Sequence, residues 1–179
     1  RGVAVFSFGK TMHATGWRVG YAVAPYIDSK KVPALYPIVA ADDLTQRKRS
    51  RYIVRTGWAS SQPSHPFGKW VYDTLKYKKI ATIGYDFAFG WEVVSGFQRS
   101  YEEAGGQIVQ KLWPPLGNAD FAPYISQLKR DADAVFAQFS GADALRFAKQ
   151  YQEAGLKARL PLIGGGTFTD EHVLRTMGD

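Results

Sequence analysis

The chain has 179 residues, 45% of them hydrophobic, with 23 Lys or Arg against 16 Asp or Glu and a net charge of +7. That length buries the core of one domain with part of a second, and no run approaches the roughly 18 uninterrupted apolar residues of a membrane helix, so the chain itself is expected not to span a membrane. With no cysteine, disulfides, thiolate nucleophiles and Cys-held zinc are excluded.

In chain order, Val3 to Phe8 reads as a strand and Tyr21 to Ser29 as a short helix. Val32 to Val39 is an apolar run interrupted by Pro33 and Pro37. A basic run follows at Arg47, Lys48, Arg49 and Arg51, and a second lies at Lys76, Lys78 and Lys79. Both sit between apolar segments without a recognition helix, zinc finger or stacking motif, so they read as solvated turns and no nucleic-acid partner is expected. Arg51 to Thr56 is extended and Ser60 to His65 is polar, which places a lobe boundary around Tyr52 to Ser61. The expected organisation is a partial first lobe over 1–51, a crossing segment over 52–61 and most of a second lobe over 62–179.

From Lys79 onward one pattern repeats: an apolar strand, a loop with Gly or Asp, an amphipathic helix and a glycine stop. The strands are Ile80 to Gly84, Ile108 to Leu112, Ala134 to Phe139 and Leu160 to Ile163, with equivalent positions roughly every 27 residues, the length of a strand, a helix and two short loops. That spacing predicts an α/β fold with a parallel sheet covered by helices on both faces. Val94, Phe97, Tyr101 and Ala104 mark the first helix, stopped by Gly105 and Gly106. Asp120 is the expected cap of the second, with Phe121, Tyr124, Ile125 and Leu128 inward. The third runs from about Ala142 to Ala154, with Leu145, Ala148 and Tyr151 inward and Gly155 as its stop.

In an open parallel sheet, ligands bind outside the carboxyl ends of the strands. The loops there are Tyr85 to Gly90, Phe139 to Ala142 and Gly164 to Thr169, with Ile38 to Asp42 in the first lobe. Each precedes a helix start, where backbone N–H groups and the positive dipole end favour a carboxylate. Catalysis is not expected. His13, His65 and His172 stand apart from one another, Gly164 to Gly166 lack the lysine of a phosphate loop, and adjacent Asp42 and Asp43 point different ways. Neither a cofactor nor a metal is implied.

Several blocks together carry a resemblance: AVAPYIDSKKVPAL, ADDLTQ, YIVRT, IATIGYDFAFGWEVVSGF, EEAGGQIVQ, DFAPYISQLK and DAVFAQFSGADALRFAKQYQEAGL. In order and spacing they resemble the substrate-binding proteins of branched-chain amino-acid-type ABC importers, the relatives of the leucine/isoleucine/valine-binding protein. The resemblance covers Tyr21 to Asp179, and residues 1–20 follow it poorly. It implies a type I periplasmic-binding-protein fold of two lobes joined by three crossing strands, of which Tyr52 to Thr56 resembles one, and it makes this sequence a central piece. It also implies periplasmic ligand capture and delivery to an ABC permease in the inner membrane.

Residue by residue, Ile38, Val39 and Ala40 fall on the family's head-group loop, with Ala40 where amino-acid binders carry a hydroxyl. Phe89 matches an aromatic wall, Ser140 stands where a second aromatic is usual, and Gly166 occupies the place of the acidic residue that pairs with an ammonium. Phe139 and Thr167 complete the expected ligand-binding set. The missing ammonium contacts point to an apolar or aromatic carboxylate over a zwitterionic amino acid. A ligand-sensing domain of a receptor or regulator is the alternative on the same fold.

Overall fold

A computed structural model describes residues 25–37, 39–47 and 49–177. The chain divides into two compact units, Arg1–Ser60 and Ser61–Asp179. The expected strand at Val3 to Phe8 lies outside the described residues, as does Ile38.

In the first unit residues 25–30 are helical, and β1 (Ala34–Tyr36) pairs in parallel with β2 (Ile53–Arg55). Pro33 and Pro37 bracket β1, which shortens the apolar run to a three-residue strand because proline brings no N–H to a ladder. A single 3₁₀ turn covers Asp42–Leu44.

The second unit is built on four strands: β3 (Lys79–Gly84), β4 (Gln107–Leu112), β5 (Ala134–Gln138) and β6 (Leu162–Gly164). All pairings are parallel, in the order β4-β3-β5-β6. Its helices are α1 (Ser64–Trp70), α2 (Ala88–Glu103), α3 (Ala122–Ser126), α4 (Gly141–Glu153) and α5 (Glu171–Met177). The near-continuous apolar strands are explained by burial on both faces. Along β5, Val135 and Ala137 face a core with Phe121, Phe147 and Tyr151, while Ala134 and Phe136 face another with Val71, Val94, Phe97 and Tyr101. Phe97 stacks on Phe136 with ring centroids 4.2 Å apart. The expected parallel sheet, its three following helices and the stops at Gly105 and Gly155, both at positive φ, are all present.

α1, which continues through a π-helical turn over Val71–Leu75, was not expected from the polar, proline-containing stretch Ser60 to His65. Its contact with α2 is made by small residues where a sequence reading looks for large apolar ones. A Cβ on Gly68 would stand 2.1 Å from the Phe97 carbonyl oxygen, and one on Gly96 would stand 2.4 Å from that of Ser61. The Ser64 hydroxyl donates to the Val93 carbonyl across this close approach (2.7 Å). Pro66 is tolerated because it falls in the first turn, where an N–H has no intrahelical acceptor.

Candidate functional site

The strand order fixes where a ligand crevice forms in the second unit. From β3 the chain crosses over α2 to β4 on one side, and from β5 it crosses over α4 to β6 on the other. The loops leaving β3 and β5 therefore diverge from neighbouring strands, which is the topological switch point of an open α/β sheet.

Hydrogen bonds join the four loops of this edge into one array. Tyr85, after β3, accepts from the Ser140 N–H and donates to the Ser140 carbonyl, each at 3.2 Å. The Asp86 N–H donates to Pro114 after β4 (2.9 Å). Asp143, in the first turn of α4, accepts from the Gly117 N–H (3.0 Å) and from Arg146 (2.7 Å), and Arg146 also donates to the Asn118 carbonyl (2.9 Å). After β6, the Thr167 hydroxyl accepts from the Gln138 amide nitrogen (2.9 Å) and donates to the Phe139 carbonyl (3.1 Å). Phe168 anchors that last turn in the core.

Tyr85 is fully buried, and burial pushes its hydroxyl up to about 12 against the opposing hydrogen bonds of Ser140. It is therefore a neutral donor and acceptor at physiological pH. Its ring packs edge-on to Phe139 (5.2 Å) and against Phe87 (5.3 Å), and Phe87 continues to Phe89 (6.2 Å). This aromatic row leads from the core to the half-buried Phe87 and Phe89 at the strand ends.

The helix starts at the switch point are open to an anion. Phe87 and Ser140, the N-caps of α2 and α4, are both extended and make no side-chain cap. No N-cap side chain therefore occupies the first-turn N–H groups. Each of these helix starts has a carboxylate near it: Asp86 just before α2 accepts from the Trp91 ring N–H (3.2 Å), and Asp143 in the first turn of α4 is paired with Arg146 (2.7 Å).

The expected site residues fall as follows. Phe89, Ser140, Gly166 and Thr167 all lie on strand-end loops of the second unit or at the helix starts beside them, with Gly166 exposed and the others half-buried. Phe139 needs a correction. Its side chain is fully buried among Tyr85, Phe121 and Phe147, so what it offers at the edge is its backbone. In the first unit Val39 and Ala40 are half-buried, and the Ala40 carbonyl accepts from Arg55 (3.1 Å), the Ser60 N–H (2.8 Å) and the Ser60 hydroxyl (2.9 Å). Tyr85 and Phe87 lie in the expected loop Tyr85 to Gly90 without having been singled out, and Gln138 and the Asp143–Arg146 pair were not expected. Gln138 had a signal: a carboxamide inside a strand apolar on both faces.

Among the described residues no group of three or more His, Cys, Asp or Glu is placed to hold a metal, and no helix is long and apolar enough to cross a membrane.

A parallel sheet covered on both faces, with strand-end loops that diverge at a topological switch point, has the architecture of α/β ligand-binding proteins. The chain belongs to the periplasmic binding protein family, which it matches over residues 12–179. It is 30% identical over 161 residues to Leu/Ile/Val-binding protein homolog 6 of Brucella melitensis, covering 88% of this chain and 40% of that one. Among solved structures it resembles an ABC transporter substrate-binding protein from Sphaerobacter thermophilus (35% identity, TM-score 0.82, 89% of this chain and 45% of that one). It also resembles a solute-binding protein of Rhodopseudomonas palustris BisB5 in complex with 3,4-dihydroxybenzoic acid (35% identity, TM-score 0.79, 88% and 43%). These agree with the type I periplasmic binding fold. The chain spans about 40% of that curated relative and under half of these solved structures. A separate 25-residue match, 76% identical and covering 6% of the methionine aminotransferase of Escherichia coli, is too short to carry a fold or an activity.

Proposed function

We propose that the intact protein is the extracytoplasmic solute-binding component of an ABC importer, which captures a small carboxylate reversibly and hands it to a membrane permease. The observation that carries this reading is the pair of N-caps without side-chain caps, Phe87 and Ser140, at the switch point. The first-turn N–H groups, which no N-cap side chain occupies, suit a carboxylate, and the half-buried Phe87 and Phe89 at the outer end of the aromatic row supply apolar surface beside it. In this reading Val39, Ala40, Phe89, Ser140, Gly166 and Thr167 contact the ligand, and residues 52–61 link the two lobes.

An aromatic carboxylate is favoured over a zwitterionic amino acid. Neither Ala40 nor Gly166 brings a side-chain oxygen to an ammonium, and a buried ammonium without partners costs on the order of 1–3 kcal/mol or more. Related proteins 29–35% identical to this chain have been solved with benzoate and with hydroxybenzoates. Calorimetry on the intact protein against a panel of benzoates, aliphatic acids and amino acids tests the reading. Binding of aromatic acids without chemical change is expected; tighter binding of leucine or valine, or turnover of the bound acid at a catalytic rate, would sink it.

A further inference from the structure

Gln138 is 1% exposed at the end of β5. One end of its carboxamide is engaged, since the nitrogen donates to the Thr167 hydroxyl, whose own proton goes on to the Phe139 carbonyl. The orientation of the amide follows from that chain: turned over, its oxygen would compete with Phe139 for the one hydroxyl proton of Thr167. The oxygen Oε1 is therefore the free end, and it is buried without a hydrogen-bond partner among the described residues. Packing alone does not call for it, because an apolar side chain of the same length would fill this place without stranding an acceptor.

The surroundings place this acceptor among the strand-end loops. Gly84, its register partner on β3, lies just ahead of the loop that leads into α2, and a Cβ there would stand 3.2 Å from that of Gln138. On the β6 side the backbone of Gly165 closes over the amide, where a Cβ would fall 2.4 Å from Oε1. Beyond it Gly166 is exposed, with open space where its Cβ would be. The terminal torsion of a glutamine is soft. Oε1 lies under the Gly165 backbone, so for a ligand to reach it the 165–167 turn has to move outward, toward the surface that Thr167 already reaches.

We propose that Gln138 determines specificity by accepting a hydrogen bond from a hydroxyl on the ligand, so that the site prefers a hydroxylated aromatic carboxylate to the bare ring. The inference rests on the carboxylate reading and adds the group at the far end of the ligand. A ligand hydroxyl gains by satisfying an acceptor that is otherwise stranded, and a bare ring leaves it stranded.

The test compares benzoate with its three monohydroxy derivatives by calorimetry on the intact protein and on Gln138→Met. The unsubstituted protein should bind the best hydroxybenzoate about tenfold more tightly than benzoate. Gln138→Met should bring that ratio to within about twofold, whatever its effect on the affinity for benzoate itself. A tenfold ratio that survives Gln138→Met, or no preference in the unsubstituted protein, would overturn the role of Gln138 and leave the carboxylate reading standing. Failure of all four acids to bind would instead remove the carboxylate reading, and this one with it. Should Gln138→Met not fold, Gln138→Glu replaces it: its carboxylate keeps the acceptor, so the ratio should persist even as both affinities fall, and loss of the ratio counts against the proposal.

Discussion

In the first unit the loop after β1 is held by a cation, whereas in the second unit the loops after β3 and β5 are held by neutral groups. Arg55 donates to the carbonyls of Ala40 and Ala41 (3.1 and 2.7 Å) and to the Thr45 hydroxyl. Tyr85 instead ties the backbone of Ser140 with one buried phenol. The difference lies in which polar groups each loop spends on being held. The first loop spends carbonyls, so the Ala40 oxygen, covered by Arg55 and Ser60, does not confront an approaching carboxylate with a bare acceptor. The second spends one N–H and one carbonyl of Ser140 and puts no N-cap side chain on the first turns of α2 and α4.

Removing the cation should have the largest effect. Arg55→Met strips charge-assisted hydrogen bonds from a half-buried loop and is expected to cost about 2 kcal/mol locally. Hydrogen exchange at the amides of residues 39–46 should quicken accordingly. Arg55→Lys should recover less than half of the protection, since Nη1 serves both carbonyls while Nη2 serves Thr45, and a single ammonium cannot span the two positions of the guanidinium fork. Unchanged exchange in Arg55→Met would show that Ser60 alone holds this loop.

Tyr85→Phe should cost less, about 1–2 kcal/mol, because it leaves one N–H and one carbonyl of Ser140 without their partner. It also sharpens the comparison through pH. Burial raises the Tyr85 hydroxyl from its ordinary value of 10.0 to about 12. Its contribution to stability is therefore complete below pH 10 and is lost as pH rises through about 12, because the unfolded chain releases the proton first. Burial also raises Tyr101 and Tyr151, which adds loss of the same sign. Urea titrations between pH 9 and 12 should show stability falling less steeply in Tyr85→Phe than in the unsubstituted protein. Equal slopes would mean that Tyr85 titrates as freely in the folded chain as in the unfolded one.

The regular part of the second unit was legible because its code is local. Ile80, Ile108, Val135 and Leu162 recur at one βα spacing, and glycines stand where α2 and α4 stop. From that spacing the parallel sheet and its strand-end loops follow. What stayed hidden depends on distant residues. α1 could not be seen in Ser64, Pro66 and Gly68, because the reason for Gly68 is the Phe97 carbonyl on another helix. Phe139 looked like ligand surface because the last strand residue can face either way, and only the packing of Phe121 and Phe147 around it shows that it faces the core. Tyr85 and Ser140 lie 55 positions apart, so their mutual hydrogen bonds leave no mark in either segment alone.

The smallest effect on stability is expected at Ser140, where it separates holding a loop from holding a ligand. A serine N-cap usually contributes about 1 kcal/mol by accepting from a first-turn N–H. Ser140 forms no such bond, and among the described residues its hydroxyl has only a long contact, 3.4 Å, with the Tyr85 oxygen. What ties it to Tyr85 is its backbone, which Ser140→Ala keeps. The variant should therefore melt within about 0.5 kcal/mol of the unsubstituted protein. Ligand affinity is a separate matter. If the hydroxyl faces the carboxylate, Ser140→Ala should weaken binding of an aromatic acid by about threefold to tenfold, the range of one hydrogen bond, with no matching loss of stability. A drop in stability of 1 kcal/mol or more would assign Ser140 to the scaffold alongside Tyr85, and unchanged affinity would leave the carboxylate to the backbone N–H groups of α2 and α4.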